Sequence, residues 1–131
     1  MKYMLILIGQ EGGWQDGSPD DVKAEMDGWA AFGQEVNDAG AYVAGEGLQE
    51  SATATTVRFE GGERSVTDGP FAETKEQVGG FYVLECKDLD EALEWAHKIP
   101  YTSDGAVEIR PVMDYEAMGY EGPEQQEAAR S

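Results

Sequence analysis

The chain has little of what disulfide frameworks, histidine metal centres and membrane anchors need. It contains one cysteine, Cys86, and one histidine, His97, in 131 residues. A single cysteine excludes an internal disulfide, and a single histidine excludes a metal site built from several imidazoles. The longest apolar run, Tyr3 to Ile8, is far shorter than the roughly 20 residues that span a bilayer. With one Lys2 before that run and no small-residue cleavage site after it, we expect no signal peptide and a cytoplasmic location.

Positive charge is also scarce. Nine Lys and Arg residues stand against 27 Asp and Glu residues, which gives a formal net charge of −18. Because such a surface repels phosphate and anionic lipid, we expect neither a nucleic-acid partner nor a membrane partner. The remaining composition, 40% hydrophobic and 10% aromatic, is typical of one ordinary domain with a sizeable core.

Apolar periodicity and helix caps predict the element order β-α-β-hairpin-β-α-β. Ser18 followed by Pro19 predicts the start of a first helix, and Gly40 predicts its end. Asp88 with Glu91 three residues later predicts the cap of a second helix. The predicted strands are Met4–Ile8, Ala41–Ala44, Thr55–Phe59, Arg64–Thr67, Gly80–Cys86 and Val107–Val112, and a turn with one helical turn is expected over residues 68–78.

This order predicts an α+β fold, a ferredoxin-like split βαβ sandwich with an inserted β-hairpin. Two helices cover only one face of a four-stranded antiparallel sheet. The first strand is apolar at every position from Met4 to Ile8, so we expect it to be central and buried on both faces. A second copy that packs sheet against sheet would cover the other face, and burial alone therefore predicts a homodimer.

The densest local motif runs from Thr67 to Tyr82 and contains Asp68, Gly69, Pro70 and Phe71. Asp68 is a turn former whose carboxylate can accept hydrogen bonds from the backbone amides that follow it. Gly69 removes the steric limit on φ, and Pro70 fixes its own φ. We therefore predict a stiff corner that holds one carboxylate in place.

This motif resembles the signature of the YCII-related proteins, in particular the branch named for its Asp-Gly-Pro-Phe motif. The resemblance covers residues 1–113, which we take as one domain followed by an acidic C-terminal extension over residues 114–131. It implies a dimeric α/β barrel, in agreement with the dimer predicted from burial. The matching segments besides Thr67 to Tyr82 are Met1–Leu5, Ala44–Leu48, Asp88–Trp95 and Val107–Val112.

The resemblance implies less about activity. Members of this branch often occur beside or fused to extracytoplasmic-function sigma factors, which implies a regulatory link. Other YCII-like proteins carry a histidine on the first helix and an acid before a Pro-Tyr pair, and these are suspected to form a catalytic dyad. Here Trp29 and Ile99 stand at those positions, and neither side chain transfers protons.

Asp68 is then the leading candidate for a general base, in a cleft between sheet and helices. Trp29 and Tyr3 are predicted to line that cleft with Phe71, and Lys75 is predicted to bind an anionic ligand. Each residue also has a structural interpretation. Asp68 would be a turn carboxylate, Trp29 and Tyr3 would be core residues, and Lys75 would form a surface ion pair.

Three functions remain open on these residues. The first is a small-molecule-binding protein or a lyase- or hydrolase-like enzyme that uses Asp68 as base. The second is a non-catalytic interaction module in a sigma-factor pathway, with the acidic surface facing a basic partner. The third is a structural protein without a ligand. No cofactor and no metal site are predicted, since the chain has no nucleotide-binding glycine pattern and no spaced ligand set.

Overall fold

Antiparallel strands and two helices form the body of the chain in a computed structural model that describes residues 1–11, 17–101 and 104–121. Within these ranges β2, β5, β1 and β6 form a four-stranded sheet in that order, and β3 and β4 form a separate two-stranded sheet. This order confirms the ferredoxin-like arrangement with an inserted hairpin. The elements are β1 (Lys2–Gln10), α1 (Pro19–Asp38), β2 (Tyr42–Gly47), β3 (Thr55–Glu60), β4 (Glu63–Asp68), β5 (Glu76–Glu85), α2 (Leu89–His97) and β6 (Gly105–Pro111).

Both helices begin at the predicted caps. The Ser18 hydroxyl accepts a hydrogen bond from the Asp21 amide at 3.1 Å, and the Asp88 carboxylate accepts one from the Glu91 amide at 3.0 Å. These bonds satisfy amides that a helix leaves unpaired in its first turn. Gly40 follows α1 with φ of 71°, a conformation that favours glycine over residues with a Cβ.

The core lies between the two helices and one face of the sheet. Leu5 of central β1 is fully buried and pairs with Tyr82 of β5 and Ile109 of β6. Alternate residues of a strand share a face, so this row belongs to the helix side. The buried members of the core are Tyr3, Leu5, Phe32, Val36, Ala41, Leu84, Cys86, Ala92 and Ile99.

The other face of the sheet is also apolar. Met4, Ile6 and Ile8 of β1 are half-buried there, and Ile6 pairs with Phe81 while Met4 pairs with Val83. Both helices pack on the opposite side, against Tyr3 and Leu5. β1 therefore has apolar side chains on both faces of the sheet. The helices cover one face and leave the opposite face open.

Two parts of the prediction are wrong in detail. β5 begins at Glu76, four residues before the predicted start at Gly80. Its pairing with β1 continues past an irregularity at which Leu7 faces Gly80 and Ile8 faces Val78. No helical turn forms between β4 and β5, where the Gln77 side-chain Nε2 instead donates to the Ala72 carbonyl at 2.8 Å.

The chain after β6 forms turns as far as residue 121. Asp114 accepts hydrogen bonds from the amides of Ala117 and Met118. Residues 122–131, most of the predicted acidic extension, lie outside the described residues. Among the residues that are described, neither helix has a stretch long and apolar enough to cross a membrane.

Candidate functional site

A cleft of about 1100 Å³ lies between α1 and the helix-side face of the sheet. Its floor is poor in side chains, because Gly9, Gly45 and Gly47 line it. Gly47 faces Gly80 across the strands, and Gly80 in turn faces Leu7. This row continues to Val107 of β6, so its two positions on β2 and β5 carry no side chain. The space that these two positions leave below α1 is the cleft.

Helix α1 forms the opposite wall, and glycines there also leave few side chains. Gly28, Trp29 and Gly33 line the cleft, with Glu25 one turn and Asp21 two turns before Trp29. A Cβ on Gly33 would meet no atom within 4 Å. The buried side chains of α1 are those of Phe32 and Val36, and Trp29 packs partly against the same core.

Three aromatic side chains form the inner end of the cleft. The Trp29 and Tyr82 rings stack with centroids 6.5 Å apart and planes 15° apart. Tyr101 meets Trp29 edge-on at 6.0 Å, and its hydroxyl donates a hydrogen bond to the Ile8 carbonyl at 3.1 Å. Burial raises the pKa of the Tyr82 and Tyr101 hydroxyls, so both stay protonated and neutral around pH 7.

The charge of the cleft is negative on every side. Among the described lining residues there is no lysine, arginine or histidine. Glu11 is already engaged, since its carboxylate accepts hydrogen bonds from the Ser51 amide at 2.6 Å and the Ser51 hydroxyl at 2.7 Å. The other acidic lining residues are Asp21, Glu25, Glu50 and Asp104, whereas Glu46 lines the cleft with its backbone, because it pairs with Phe81 on the other face of the sheet.

The residues that the sequence predicts for the site do not lie together within a single copy of the chain. Trp29 lines the cleft, but Tyr3 is a buried core residue. Asp68 ends β4 on the hairpin, and Phe71 has 73% of its surface exposed. Lys75 lines a separate, shallow pocket of about 470 Å³. The role of Asp68 as a base and that of Lys75 as an anion ligand therefore stay predictions.

The corner at Asp68 is held by contacts with the hairpin. Gly69 has φ of 112°, and its amide donates to the Ala54 carbonyl at 2.7 Å. The Arg58 guanidinium donates to the Phe71 carbonyl at 3.0 Å and lies 4.8 Å from the centre of the Phe71 ring. No hydrogen bond to the Asp68 carboxylate is found within the described ranges, although the sequence predicted one from the amides that follow.

The two positions that depart from the YCII pattern lie near each other. Trp29 contacts Tyr101, which stands two residues after Ile99. Ile99 itself is a member of the core. A core side chain and an aromatic wall thus occupy the two places where the resemblance implies an acid and a histidine.

Sequence reasoning missed most of the lining of the cleft, although one signal was present. Gly45 and Gly47 alternate in a strand and so leave the end of one face of β2 without side chains. Gly28 and Gly33 likewise leave one side of α1 with few side chains. Tyr82 and Tyr101 carry no local signal, because it is the fold that brings them to Trp29.

Comparison with known proteins agrees with this architecture. Residues 1–116 match the sequence profile of the YCII-related domain. A protein of Rhizobium meliloti (strain 1021), described as uncharacterised, is 35% identical over 117 residues, which cover 88% of this chain and 94% of the relative. The chain therefore belongs to the family of YCII-related proteins.

Proposed function

We propose that this protein binds a small molecule in the cleft between α1 and the sheet. The observation that carries the proposal is the glycine floor of the cleft beside the stacked Trp29 and Tyr82 rings. A volume of about 1100 Å³ is at the upper end of the range that small-molecule sites occupy. An apolar wall of flat rings over a floor of backbone favours a flat ligand.

The enzymatic version of the proposal is a lyase- or hydrolase-like step with Asp68 as general base. Its support is the stiff Asp-Gly-Pro-Phe corner, which holds a carboxylate without hydrogen-bond partners in the described ranges. It requires Asp68 to reach a bound molecule from outside the cleft lining. Turnover that is unchanged in Asp68→Asn would remove Asp68 from the reaction.

The assembly that we propose is a homodimer formed through the open face of the sheet. Met4, Ile6, Phe81 and Val83 make that face apolar, and apolar surface on a sheet favours cover by another layer. Light scattering should give twice the mass of one chain. Ile6→Glu should give a monomer, whereas Ala31→Glu on the exposed side of α1 should leave the dimer intact.

A non-catalytic interaction module is the second candidate, and the hairpin favours it. Val57, Phe59 and Val66 share one face of β3 and β4, and about half or more of each side chain is exposed. The sigma-factor partner rests on the resemblance to the Asp-Gly-Pro-Phe branch alone. Capture of a purified extracytoplasmic-function sigma factor at low and at moderate salt tests it, and loss of capture in Phe59→Ser would locate the contact.

The proposed binding function is tested by thermal-shift screening against a broad set of small metabolites. A ligand at about 100 times its Kd stabilises the folded chain by about 2.7 kcal/mol. Gly33→Leu should abolish the shift, because its side chain enters the cleft. Ala31→Leu, on the same helix but outside the lining, should retain it. A ligand that stabilises wild type and Gly33→Leu equally would refute binding in the cleft.

A further inference from the structure

The rings and charges of the cleft specify one class of ligand. We propose that the cleft selects an organic cation with a flat apolar body, such as an arylalkyl ammonium ion. This inference rests on the proposed function, since it assumes that the cleft is a binding site. Neither the Asp-Gly-Pro-Phe corner nor the hairpin enters the argument.

The apolar part of such a ligand fits the inner end of the cleft. Trp29 stacks on Tyr82 there and meets Tyr101 edge-on, and all three residues line the cleft. A cation within about 6 Å of such a ring face is attracted by its quadrupole, most strongly at tryptophan. The glycine floor at Gly47, where an added Cβ would meet no atom within 4 Å, allows a flat group to approach the backbone.

The carboxylates on α1 supply the opposite charge. Asp21 and Glu25 lie one turn apart on the cleft wall, and neither side chain has an ion pair or hydrogen bond in the described ranges. Two like charges at this spacing destabilise a helix slightly. Glu25 is also half-buried, where solvent screens its charge less than at the surface. A bound ammonium group would offset both costs.

Anions are disfavoured by the same lining. No cationic side chain among the described residues lines the cleft to pair with a carboxylate or phosphate group. Lys75, the residue predicted to bind an anion, lies in the separate shallow pocket. With a net charge of −18, the field of the whole chain also draws cations in and turns anions away.

Three indoles of similar size and different charge test the inference by calorimetry. They are tryptamine, a cation near pH 7, the neutral 3-ethylindole, and the anion indole-3-propionate. We expect tryptamine to bind about tenfold more tightly than 3-ethylindole, and indole-3-propionate not to bind. Raising the salt concentration should weaken the binding of tryptamine but not that of 3-ethylindole.

Two variants separate the effect of the Glu25 carboxylate on binding from the effect of the net charge of the chain. Glu25→Gln should lower the affinity for tryptamine about threefold or more and leave the affinity for 3-ethylindole unchanged. Glu94→Gln, which removes the same charge from the exposed side of α2, should change neither affinity.

The outcomes distinguish the inference from the proposed function. Equal or tighter binding of 3-ethylindole or indole-3-propionate overturns charge selection, while the cleft stays a binding site. Equal effects of Glu25→Gln and Glu94→Gln overturn the role given to Glu25. If none of the three binds, the inference is overturned, and the metabolite screen with Gly33→Leu decides separately whether the cleft binds anything.

Discussion

Trp29 of α1 and Tyr82 of β5 stack with ring centroids 6.5 Å apart and planes 15° apart. The pair joins the helix to the sheet at the point where the packed core ends and the cleft begins. Tyr82 also meets Phe32 edge-on at 5.2 Å on the core side. The same stack therefore has two roles, since it closes the core and forms the wall of the proposed site.

Replacing Trp29 should affect stability and binding together. We expect Trp29→Leu to lower the free energy of unfolding by about 1–3 kcal/mol, because it removes ring contacts with Tyr82 and Tyr101. It should also abolish binding of any cleft ligand. Trp95→Leu is the control, because Trp95 packs on Phe32 away from the cleft. It should destabilise the fold by a similar amount and leave the affinity unchanged, as urea unfolding and calorimetry would show.

Alanine at two glycines of the cleft should change stability in opposite directions. Gly33→Ala should stabilise the chain by up to about 1 kcal/mol, because alanine favours a helix and the added Cβ meets no atom within 4 Å. Gly45→Ala should destabilise it by about 1–3 kcal/mol. Its Cβ would lie 2.9 Å from Cδ1 of Tyr82 and 3.2 Å from the Phe81 carbonyl oxygen. Urea midpoints measure both, and a stable Gly45→Ala variant would contradict the tight approach.

Removing a helix cap should cost stability without changing the cleft. Asp88→Ala should lower the free energy of unfolding by about 1 kcal/mol, because the Glu91 amide loses its acceptor. Asp88→Asn keeps an acceptor oxygen and should recover most of the loss. Urea unfolding compares the two. Equal destabilisation by alanine and asparagine would show that the charge rather than the hydrogen bond matters.

Stability should fall at alkaline pH because three buried groups resist ionisation. Burial, with a smaller contribution from Glu91, raises the pKa of Cys86 above its ordinary 9.0. Burial likewise raises the pKa values of Tyr82 and Tyr101 above 10.0. In the unfolded chain these groups lose their protons first, so the stability they contribute is complete below pH 9 and is lost as the pH rises through their folded pKa values.

The cysteine contribution can be isolated. In Cys86→Ala the decline in stability should begin nearer pH 10, because only the tyrosines remain. Urea midpoints between pH 7 and pH 11 follow the decline in both proteins. An unchanged profile in Cys86→Ala would exclude the thiol as a contributor.

Local signals in the sequence were sufficient for the helices and for the order of the strands. Ser18, Asp88 and Gly40 each act through contacts within a few residues, and the structure confirms all three. The start of β5 was missed for the opposite reason. Glu76 pairs with Gln10, 66 residues earlier in the chain, and no pattern near Glu76 encodes that partner.

The site was harder to predict than the fold. A dense motif drew the prediction to Asp68 and Phe71, which lie outside the lining of the cleft, and their roles stay predictions. The cleft is made by glycines and rings from several elements. Its negative charge includes acidic residues of α1 that, taken alone, indicate a helix surface exposed to solvent. Trp29 was identified because it stands where the resemblance to the YCII-related proteins implies a histidine.

The most direct test of the account is an amide and indole NMR titration of labelled protein with tryptamine. The account predicts that the Trp29 indole N–H and the amides of Gly33 and Gly47 shift in a saturable way, while the Trp95 indole N–H does not. Saturable shifts confined to the hairpin, at Phe59 or Phe71, would contradict the cleft as the binding site. The absence of any shift at Trp29 would contradict the cation-selective cleft.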